Sequence, residues 1–474
     1  MKLRQWQTEC INQAFDKYCA KQEHFLCLAT PGAGKTIMAS VLAERLFKAG
    51  MIDLVICFSP SIIVAEDFKE ELELYTGKRL NGAMGAAGCS TTYQGMLTLG
   101  QEFWELLDEY RVFVIFDEIH HCSGSNTTNA NAWGERIIAN IQGKASYTLA
   151  LTGTPWRSDQ TPVVLANYCN ENNKVRCNFT YGLRQAVSDQ VCRVPAFTVI
   201  DNDSVMLKSE NKLYKSFQSL LQESKCTYQE LLENEALISY CLKQANLKLN
   251  ELRRSIPDAG GLIIATSILH ANKISAILES ELGEHADIAT YDVCDALSVI
   301  RNYKHANSKW IISVGMISEG TNIPRLQVCC HLTRVKTELY FRQILGRVLR
   351  IRNLGDETGY LFMPAEPTLI KYAQRVSEDV PDTAIINLKS KIKNEKSPRL
   401  PTYPNINKGE FKVDINLEGL DDLQYSNYRD AKFSKPKEGS ETKTKESSDL
   451  FKIYAGELNI SGLFINKLLT ERPL

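Results

Sequence analysis

Residues 25–47 read FLCLATPGAGKTIMASVLAERLF: five apolar residues, a loop with two glycines, and a run with apolar residues at helical spacing. This order predicts a strand, a tight turn and an amphipathic helix, the context in which backbone N–H groups surround phosphates. The loop residues that we predict to bind a nucleotide are Thr30, Pro31, Gly32, Ala33, Gly34, Lys35 and Thr36.

The residue types in this loop suit phosphate chemistry. Gly32 and Gly34 let the backbone turn inward around the phosphates. Lys35 can reach the β- and γ-phosphates, and the Thr36 hydroxyl can ligate magnesium. The strict pattern GxxxxGK[ST] has a glycine where this chain has Ala29. An ordinary strand-to-helix turn with a solvated lysine is the alternative interpretation.

A second apolar run, VFVIF at 112–116, is followed directly by DEIHH. Carboxylates at the end of a buried strand are costly unless a cation or hydrogen bonds compensate them. Beside a phosphate loop, we predict that Asp117 holds magnesium and that Glu118 orients and deprotonates the attacking water. Taken alone, the same residues are equally explained as a polar cluster at the mouth of a loop.

Apolar runs of strand length recur along the chain, with helical stretches between them. The first series is FLCLA (25–29), DLVICF (53–58), VFVIF (112–116) and YTLAL (147–151), and the second is GLIIA (261–265), KWIISV (309–314), LQVCCHL (326–332) and GYLFM (359–363). This rhythm predicts an α/β fold in which two tandem domains each have a parallel sheet covered by helices.

The predicted domains are residues 1–195 and 196–375, followed by a small C-terminal extension over 376–474. Residues 205–256 are rich in Leu, Lys, Glu, Gln and Ser without Gly or Pro, which predicts a helical insertion in the second domain. Residues 432–449 have few apolar residues and are predicted to form a polar linker. The segment after them could be a short docking element, whose partner the pattern does not assign.

Composition limits the class of protein. A chain of 474 residues with 44% hydrophobic residues can bury more than one core. Its net charge of -1 gives no overall attraction to a polyanion, so any nucleic-acid contact must come from local groups. The 14 cysteines have no zinc-like spacing, and no apolar run suits a signal peptide or a membrane span. We therefore predict a cytoplasmic protein.

Further motifs follow the phosphate loop and DEIH in a fixed order: LTGTPWR (151–157), VGMISEGTNIP (314–324) and YFRQILGRVLR (340–350). DEIH resembles the DExH box of helicase superfamily 2, and the three later segments resemble its motifs III, V and VI. The loop form AxxGxGKT also occurs in that superfamily. Within it, LTGTPxR and QILGRVLR resemble type III restriction translocase subunits, RadD-like repair helicases and phage recombination helicases.

The resemblance implies two RecA-like domains and a nucleic-acid-dependent ATPase that uses ATP and Mg2+. It also implies that Arg347 and Arg350 are arginine fingers and that Gln343 contacts phosphate or water. Spacing of i, i+4 and i+7 would place these three side chains on one helix face. The alternative interpretation is an ordinary exposed basic helix face. Glu319 and Gly320 lie in the motif V loop, which the resemblance places near ATP and the nucleic-acid backbone.

The N-terminal residues LRQWQ (3–7) resemble the LRxxQ element that precedes the phosphate loop in many of these motors. Gln7 could bond adenine N6 and N7, the geometry that amides use on adenine elsewhere. Arg4 could pack on the adenine ring. Trp6 could pack there too, but it is explained at least as well as a core aromatic on an amphipathic helix.

Segments that resemble motifs Ia (58–64), Ib (90–96) and IV (263–271) each start near a strand end with small hydroxyl residues. Together with local backbone N–H groups, these residues can bind phosphates without a large positive charge. The predicted nucleic-acid contacts are Ser59, Thr91, Thr92, Thr266 and Ser267. Such contacts do not read bases, so we expect sequence-independent binding, to DNA before RNA. Ser and Thr are also common as ordinary loop residues.

Three functions are compatible with these motifs. The first is an ATP hydrolase that steps along DNA and unwinds or remodels it. The second is a duplex DNA translocase without strand separation, in a restriction or phage-defence system. The third is a nucleotide-gated nucleic-acid sensor that recruits other proteins through its C-terminal tail.

Overall fold

Two β-sheets, one in each half of the chain, organise the computed structural model. The structure describes residues 3–124, 126, 129–154, 162–168, 175–290, 296–317, 321–352, 358–379 and 458–469. All of these residues belong to a single unit of contacts.

The first sheet has six strands. The strands of this half are β1 (His24–Ala29), β2 (Leu54–Ser59), β3 (Gly88–Thr92), β4 (Val112–Phe116), β5 (Tyr147–Thr152), β6 (Asn167–Tyr168), β7 (Val175–Arg176) and β8 (Phe179–Tyr181). The helices are α1 (Gln5–Cys19), α2 (Lys35–Lys48), α3 (Ile62–Thr76), α4 (Tyr93–Met96), α5 (Gln101–Glu109), α6 (Ala132–Asn140) and α7 (Leu183–Ser188). The sheet order is β3-β2-β4-β5-β1-β8, with every pairing parallel.

The central strand β4 illustrates why an apolar run forms this sheet. All five of its residues are buried. Because successive side chains of a strand point to opposite faces, Phe113 and Ile115 join the core on the α2 side. Val114 joins the core on the α5 side. A strand that is buried on both faces has no polar face, which explains the uninterrupted run VFVIF.

The second sheet has seven strands. The strands of this half are β9 (Val194–Asn202), β10 (Val205–Leu207), β11 (Lys212–Tyr214), β12 (Gly260–Ile264), β13 (Ala286–Thr290), β14 (Trp310–Val314), β15 (Leu326–His331), β16 (Thr358–Pro364), β17 (Leu458–Ile460) and β18 (Phe464–Leu468). The helices are α8 (Phe217–Glu223), α9 (Tyr228–Leu232), α10 (Glu235–Arg253), α11 (Ile268–Leu282), α12 (Ala296–His305), α13 (Glu338–Val348) and α14 (Pro367–Glu378). The sheet order is β13-β14-β12-β15-β16-β9-β18, and only β18 is antiparallel.

The predicted α/β class is confirmed, and each of the eight apolar runs forms a strand of a parallel sheet. The predicted boundary between residues 195 and 196 falls inside β9, which begins at Val194. The predicted end of the second domain at residue 375 falls inside α14. Boundaries are the features that a sequence pattern predicts least well. In α14 the helical spacing continues past residue 375, so the pattern does not mark where the helix ends.

The prediction of a wholly helical insertion over 205–256 is wrong at its N-terminal end. Three helices (α8, α9 and α10) occupy its later part, but β10 and β11 form an antiparallel hairpin before them. A third antiparallel strand, β17, pairs with β10 from the far end of the chain. The local composition favours a helix, and a partner more than 240 residues away overrides that preference.

The C-terminal segment completes the second sheet. Strand β18 pairs with the full carboxyl half of β9, from Phe464 opposite Asn202 to Leu468 opposite Thr198. Its Lys467 Nζ lies 2.8 Å from a carboxylate oxygen of Asp201. The docking element that the sequence suggested therefore docks on its own chain. The polar linker predicted over 432–449 lies outside the described residues.

No helix in the described part of the chain combines the length and apolar character that crossing a membrane requires. Twelve cysteines fall within the described residues, and all of them are free thiols.

Candidate nucleotide-binding site

The predicted phosphate loop connects β1 to α2, as the sequence pattern requires. Gly32 and Gly34 have φ values of +84° and +94°, a backbone region that favours glycine. A Cβ atom at Gly34 would also lie 2.9 Å from Gln7 Nε2. Helix α2 begins at Lys35, right after the loop. The backbone N–H groups of its first turn therefore have no hydrogen-bond acceptors inside the helix. The backbone is thus arranged to receive an anion at the N-terminus of α2.

Helix α1 braces this loop through two side chains. Arg4 Nη1 donates to Ala33 O at 2.6 Å, and Gln7 Nε2 donates to Gly34 O at 2.9 Å. Gln7 Oε1 accepts from the backbone N–H of Arg4 at 2.9 Å. Arg4 and Gln7, from the element predicted to precede the phosphate loop, therefore both bond to the backbone of that loop. Their contact with adenine stays a prediction.

Trp6 is a core residue. Its side chain is 1% exposed, and its ring stacks on Tyr181 with 4.8 Å between ring centroids. Because Tyr181 ends the edge strand β8, this stack anchors α1 to the first sheet. Of the two interpretations of Trp6, the structure supports the core aromatic.

The acidic pair meets the phosphate loop at the carboxyl edge of the sheet. Lys35 Nζ lies 2.9 Å from Glu118 Oε1 and donates to Ala29 O at 3.2 Å. The other carboxylate oxygen of Glu118 accepts from the backbone N–H of Gly153 at 3.0 Å. Gly153 belongs to the motif III segment, so three predicted motifs converge on one carboxylate. The remainder of that segment from Pro155 to Arg157 lies outside the described residues.

The two adjacent carboxyl groups have opposite electrostatic environments. Burial raises the pKa of Asp117, and the neighbouring Glu118 carboxylate raises it further. Burial also acts to raise the pKa of Glu118, but the charges of Lys35 and His120 and the hydrogen bonds from Lys35 and Gly153 together outweigh it and hold that pKa below its ordinary value. Glu118 is therefore ionised at neutral pH, whereas the ionised form of Asp117 needs an additional cation nearby.

The residues predicted to hold magnesium fit that ion. Asp117 Oδ1 is buried, and no hydrogen-bond donor in the described part of the chain reaches it. A buried carboxylate oxygen without a donor is costly unless a cation binds it. Thr36 lies in the first turn of α2, next to Lys35. One carboxylate and one hydroxyl suit Mg2+, which keeps several waters and takes further oxygen ligands from a bound phosphate.

Two arginines of the second half converge on one carbonyl. Arg347 Nη1 and Arg350 Nη1 donate to Thr321 O at 2.7 Å and 2.9 Å. Arg350 Nη1 also donates to Asn322 Oδ1 at 2.5 Å. Burial lowers the pKa of Arg350 to about 9, and the charge of Arg347 contributes to this shift. Gln343 is buried one turn before Arg347, and its carbonyl accepts from Arg347 Nε at 3.3 Å.

The prediction that these three side chains share one helix face is wrong for Arg350. Helix α13 ends at Val348, and Arg350 lies beyond it in an antiparallel bridge with Cys192. The convergence with Arg347 arises because the chain turns after the helix and returns toward Thr321. Helical spacing cannot reveal this, because the bridge partner lies in the other part of the chain.

The second half touches the phosphate loop directly. A Cβ atom at Gly32 would lie 3.0 Å from Arg350 Cγ, and one at Gly346 would lie 2.4 Å from Pro31 Cβ. Glycine at position 346 thus permits α13 to approach the loop. Cys192 Sγ lies 3.6 Å from Pro31 O, where it donates a weak hydrogen bond. The sequence contains no motif around Cys192, so this contact could not be predicted.

Other predicted residues are placed as follows. Glu319 and Gly320 lie outside the described residues. Ser59 is fully buried at the end of β2, so in this conformation its hydroxyl cannot reach a nucleic acid, contrary to the prediction. Thr92 and Ser267 cap the N-termini of α4 and α11.

Two further predicted contacts are only partly buried. The Thr266 hydroxyl lies 3.0 Å from His270 Nδ1. Thr91 is on β3 beside Thr92. Four of the five predicted residues therefore stay candidates, and their contact with a nucleic acid stays a prediction.

Comparison with known proteins finds a matching family for the N-terminal part of this chain and a relative along most of it. Residues 1–157 match the family described as the type III restriction enzyme, res subunit. A protein of Mycobacterium tuberculosis (strain ATCC 25618 / H37Rv), described as uncharacterized, is 29% identical over 388 residues, which are 78% of this chain and 62% of that protein. The chain thus spans about three fifths of the length of this relative.

Two solved structures share the fold. The ATP-dependent type ISP restriction-modification enzyme LlaBIII bound to DNA has a TM-score of 0.52 and 15% identity, covering 84% of this chain and 31% of that one. A fragment assigned to an HsdR subunit of a type I restriction enzyme from Vibrio vulnificus YJ016 has a TM-score of 0.55 and 16% identity, covering 78% and 65%. The resemblance to superfamily 2 motors of the restriction type is confirmed.

Proposed function

We propose that this chain is a nucleic-acid-dependent ATP hydrolase that acts on DNA as a helicase or translocase. The observation that supports this most strongly is the meeting of both halves at the phosphate loop. Lys35 and Glu118 approach from the first half, whereas Arg350 packs against Gly32 from the second. A site divided in this way makes hydrolysis depend on the closing of the two halves, which is the coupling that a motor needs.

The hydrolysis step uses Glu118 as the general base. A water molecule attacks the γ-phosphorus, the bond from that phosphorus to the bridging oxygen breaks, and ADP and phosphate leave. Glu118 accepts the proton of the attacking water. Its carboxylate is ion-paired with Lys35 in this structure, and a bound γ-phosphate gives Lys35 a second anion to pair with. Nucleotide binding thereby turns Glu118 from an ion-pair partner into an available base.

The negative charge that develops on the phosphoryl group is met from both halves. Lys35 supplies one positive charge, and Arg347 and Arg350 supply two more. The pKa of Arg350 is lowered to about 9, so its side chain still carries its charge at neutral pH. Magnesium held by Thr36 and Asp117 would neutralise part of the phosphate charge.

Nucleic-acid binding is proposed at the carboxyl edges of the two sheets. Ser61 caps α3 after β2, Thr92 caps α4 after β3, and Ser267 caps α11 after β12. The N-termini of helices that follow parallel strands offer backbone N–H groups to phosphates. Backbone contacts of this kind would serve any base sequence. DNA is preferred as the substrate because the family match and the motif resemblance are to restriction motors.

The first experiment compares ATP hydrolysis with single-stranded, duplex and forked DNA and with RNA. We expect DNA to stimulate hydrolysis, and Lys35→Ala to lower kcat by on the order of 10²- to 10³-fold because the phosphate charge loses its nearest cation. Lys48→Ala is the matched control, since Lys48 ends α2 on the surface and pairs only with Glu44 among the described residues. Wild-type turnover in the Lys35→Ala variant would contradict the proposed site.

Strand-displacement and triplex-displacement assays then distinguish the two motor activities. Displacement of a base-paired strand supports a helicase, whereas displacement of a triplex strand alone supports duplex translocation. Hydrolysis that no nucleic acid changes, with DNA affinity controlled by the bound nucleotide, would favour the sensor instead.

A further inference from the structure

The connection between the two sheets contacts both parts of the proposed site. Residues 189–193 lead from α7 in the first half to β9 in the second. Cys192 forms an antiparallel bridge with Arg350, and its Sγ lies 3.6 Å from Pro31 O of the phosphate loop. The next residue, Arg193, donates its backbone N–H to Leu349 O at 2.8 Å. The connection is therefore bonded to Leu349, the residue between Val348 and Arg350.

The side chain of Arg193 continues this contact in the interior. It is 1% exposed. Arg193 Nη1 donates to Val348 O at 2.9 Å and to Leu326 O at 2.6 Å, and Nη2 lies 3.3 Å from Pro324 O. Val348 is the last residue of α13, whereas the other two carbonyls belong to the segment that leads from motif V into β15. One guanidinium group thus joins the end of α13 to that segment.

The two segments that Arg193 joins are those that hold the arginine fingers. Arg347 and Arg350 both donate to Thr321 O, three residues before Pro324. Arg350 itself lies two residues after Val348. Arg193 fixes the end of α13 relative to residues 324–326. The distance between Arg350 and Thr321 is thereby set, and so is the position of Arg350 against Gly32.

We infer that Arg193 is a positioning residue for the arginine finger Arg350, acting through the end of α13. This inference rests on the proposed ATP hydrolysis. The Arg193 side chain is buried against the carbonyls of Val348, Leu326 and Pro324, so its effect on the reaction passes through the placement of Arg350. The planar guanidinium is required because its nitrogens donate to carbonyls of two separate segments at once. A lysine ammonium group, in contrast, is a single point charge on a flexible side chain.

The mildest informative substitution is Arg193→Lys, which keeps the positive charge and most of the aliphatic stem. We expect kcat for ATP hydrolysis to fall on the order of 10²-fold, the cost of a catalytic group displaced by about 1 Å. We expect KM for ATP and the affinity for ADP to stay within about twofold, because the phosphate loop and its braces on α1 are not changed.

A matched control is Arg253→Lys. Arg253 ends α10, and its guanidinium donates to the carbonyls of Ala259 and Asn307 at 2.7 Å and 3.0 Å. Neither carbonyl belongs to α13 or to residues 324–326. Both variants therefore lose a carbonyl-bonded guanidinium, but only Arg193→Lys should lower kcat.

The test is a cycle of wild type, Arg193→Lys, Arg350→Ala and the double variant, all in the full chain. If Arg193 acts through Arg350, the lysine substitution lowers kcat in the wild type and causes no further loss in the Arg350→Ala background. An equal loss in both backgrounds, or a kcat for Arg193→Lys above half that of wild type, would overturn the inference. Thermal melting of each variant shows whether it is folded at the assay temperature.

A second variant guards against misfolding of the lysine substitution. Arg193→Ala leaves a space with three carbonyls around it, and millimolar guanidinium ion should restore part of its kcat, whereas sodium chloride at equal ionic strength should not. Equal responses to both salts would count against the inference. An inactive wild type would contradict the proposed function itself. Wild-type turnover by Arg350→Ala would remove Arg350 from the finger role and overturn the inference while leaving the proposed hydrolysis in place.

Discussion

At the scale of single residues, Lys35 connects the parts of the site. Its ammonium group bonds Ala29 O at the end of β1 and Glu118 at the end of β4. The same charge, together with His120 and the hydrogen bonds from Lys35 and Gly153, keeps the pKa of Glu118 low although the carboxylate is buried. Sequence motifs identified these residues because a strand end, a glycine loop and a carboxylate pair are local patterns. They could not show that Gly153 donates to Glu118, since that bond depends on the packing of β4 against β5.

The variant Glu118→Gln tests the proposed base. The amide keeps the shape of the side chain and one oxygen, which can accept from either Lys35 or Gly153 but not from both. It cannot take a proton, so we expect ATP binding to persist while kcat falls by about 10²- to 10⁴-fold. Binding is measured with a fluorescent nucleotide and turnover by phosphate release. Glu44→Gln on α2 serves as the control, because Glu44 pairs with the surface residue Lys48. Unchanged turnover in Glu118→Gln would mean that another group deprotonates the water.

At the scale of elements, the second sheet depends on residues from the far end of the chain. Strand β18 covers the outer edge of β9, and Phe464 stacks on Tyr240 of α10 with 4.3 Å between ring centroids. The sequence predicted eight of the parallel strands because each of these eight is an apolar run of strand length, whereas β3, β8, β9 and β13 were not predicted. Strand β18 reads FINKL, without the alternation of apolar and polar residues that marks a half-buried strand, and could be recognised only from its partner β9.

The variant Phe464→Ala tests this docking. We expect the free energy of unfolding to fall by about 2 kcal/mol, less than for a fully buried phenylalanine, because the ring is only partly buried. Leu463→Ala is the control, since Leu463 is 76% exposed. Chemical denaturation measures both. A Phe464→Ala protein as stable as Leu463→Ala would show that β18 adds nothing to the sheet. Deleting residues 458–474 removes β17 and β18 and is therefore not a test of partner recruitment alone.

At the scale of the whole molecule, three histidines are buried in the neutral form. Burial lowers the pKa values of His24, His270 and His331 from 6.5 to about 4. Their pKa values are lower in the folded chain than in the unfolded one. Their contribution to stability is therefore complete above about pH 6.5 and is lost as the pH falls toward 4.

His331 gives the clearest test of this acid sensitivity. Both of its ring nitrogens are buried without a hydrogen-bond partner among the described residues, so His331→Leu breaks no hydrogen bond to those residues at neutral pH. We expect the variant to lose less stability than wild type between pH 7 and pH 4.5, by on the order of 2 kcal/mol. The exposed His285→Leu should match wild type. Identical pH profiles for all three proteins, measured by thermal melting, would contradict this origin of acid sensitivity.

The sequence by itself determined the α/β class, the eight principal strands, the phosphate loop and the acidic pair. Each of these is written in neighbouring residues, through apolar runs, glycines and the residue types that phosphate chemistry needs. The hairpin β10–β11, strand β18, the end of α13 before Arg350 and the contacts of Arg193 were decided only by the tertiary structure. Apart from the pairing of β10 with its near neighbour β11, the deciding partner in these cases lies far away in the chain, and a local pattern contains no information about it.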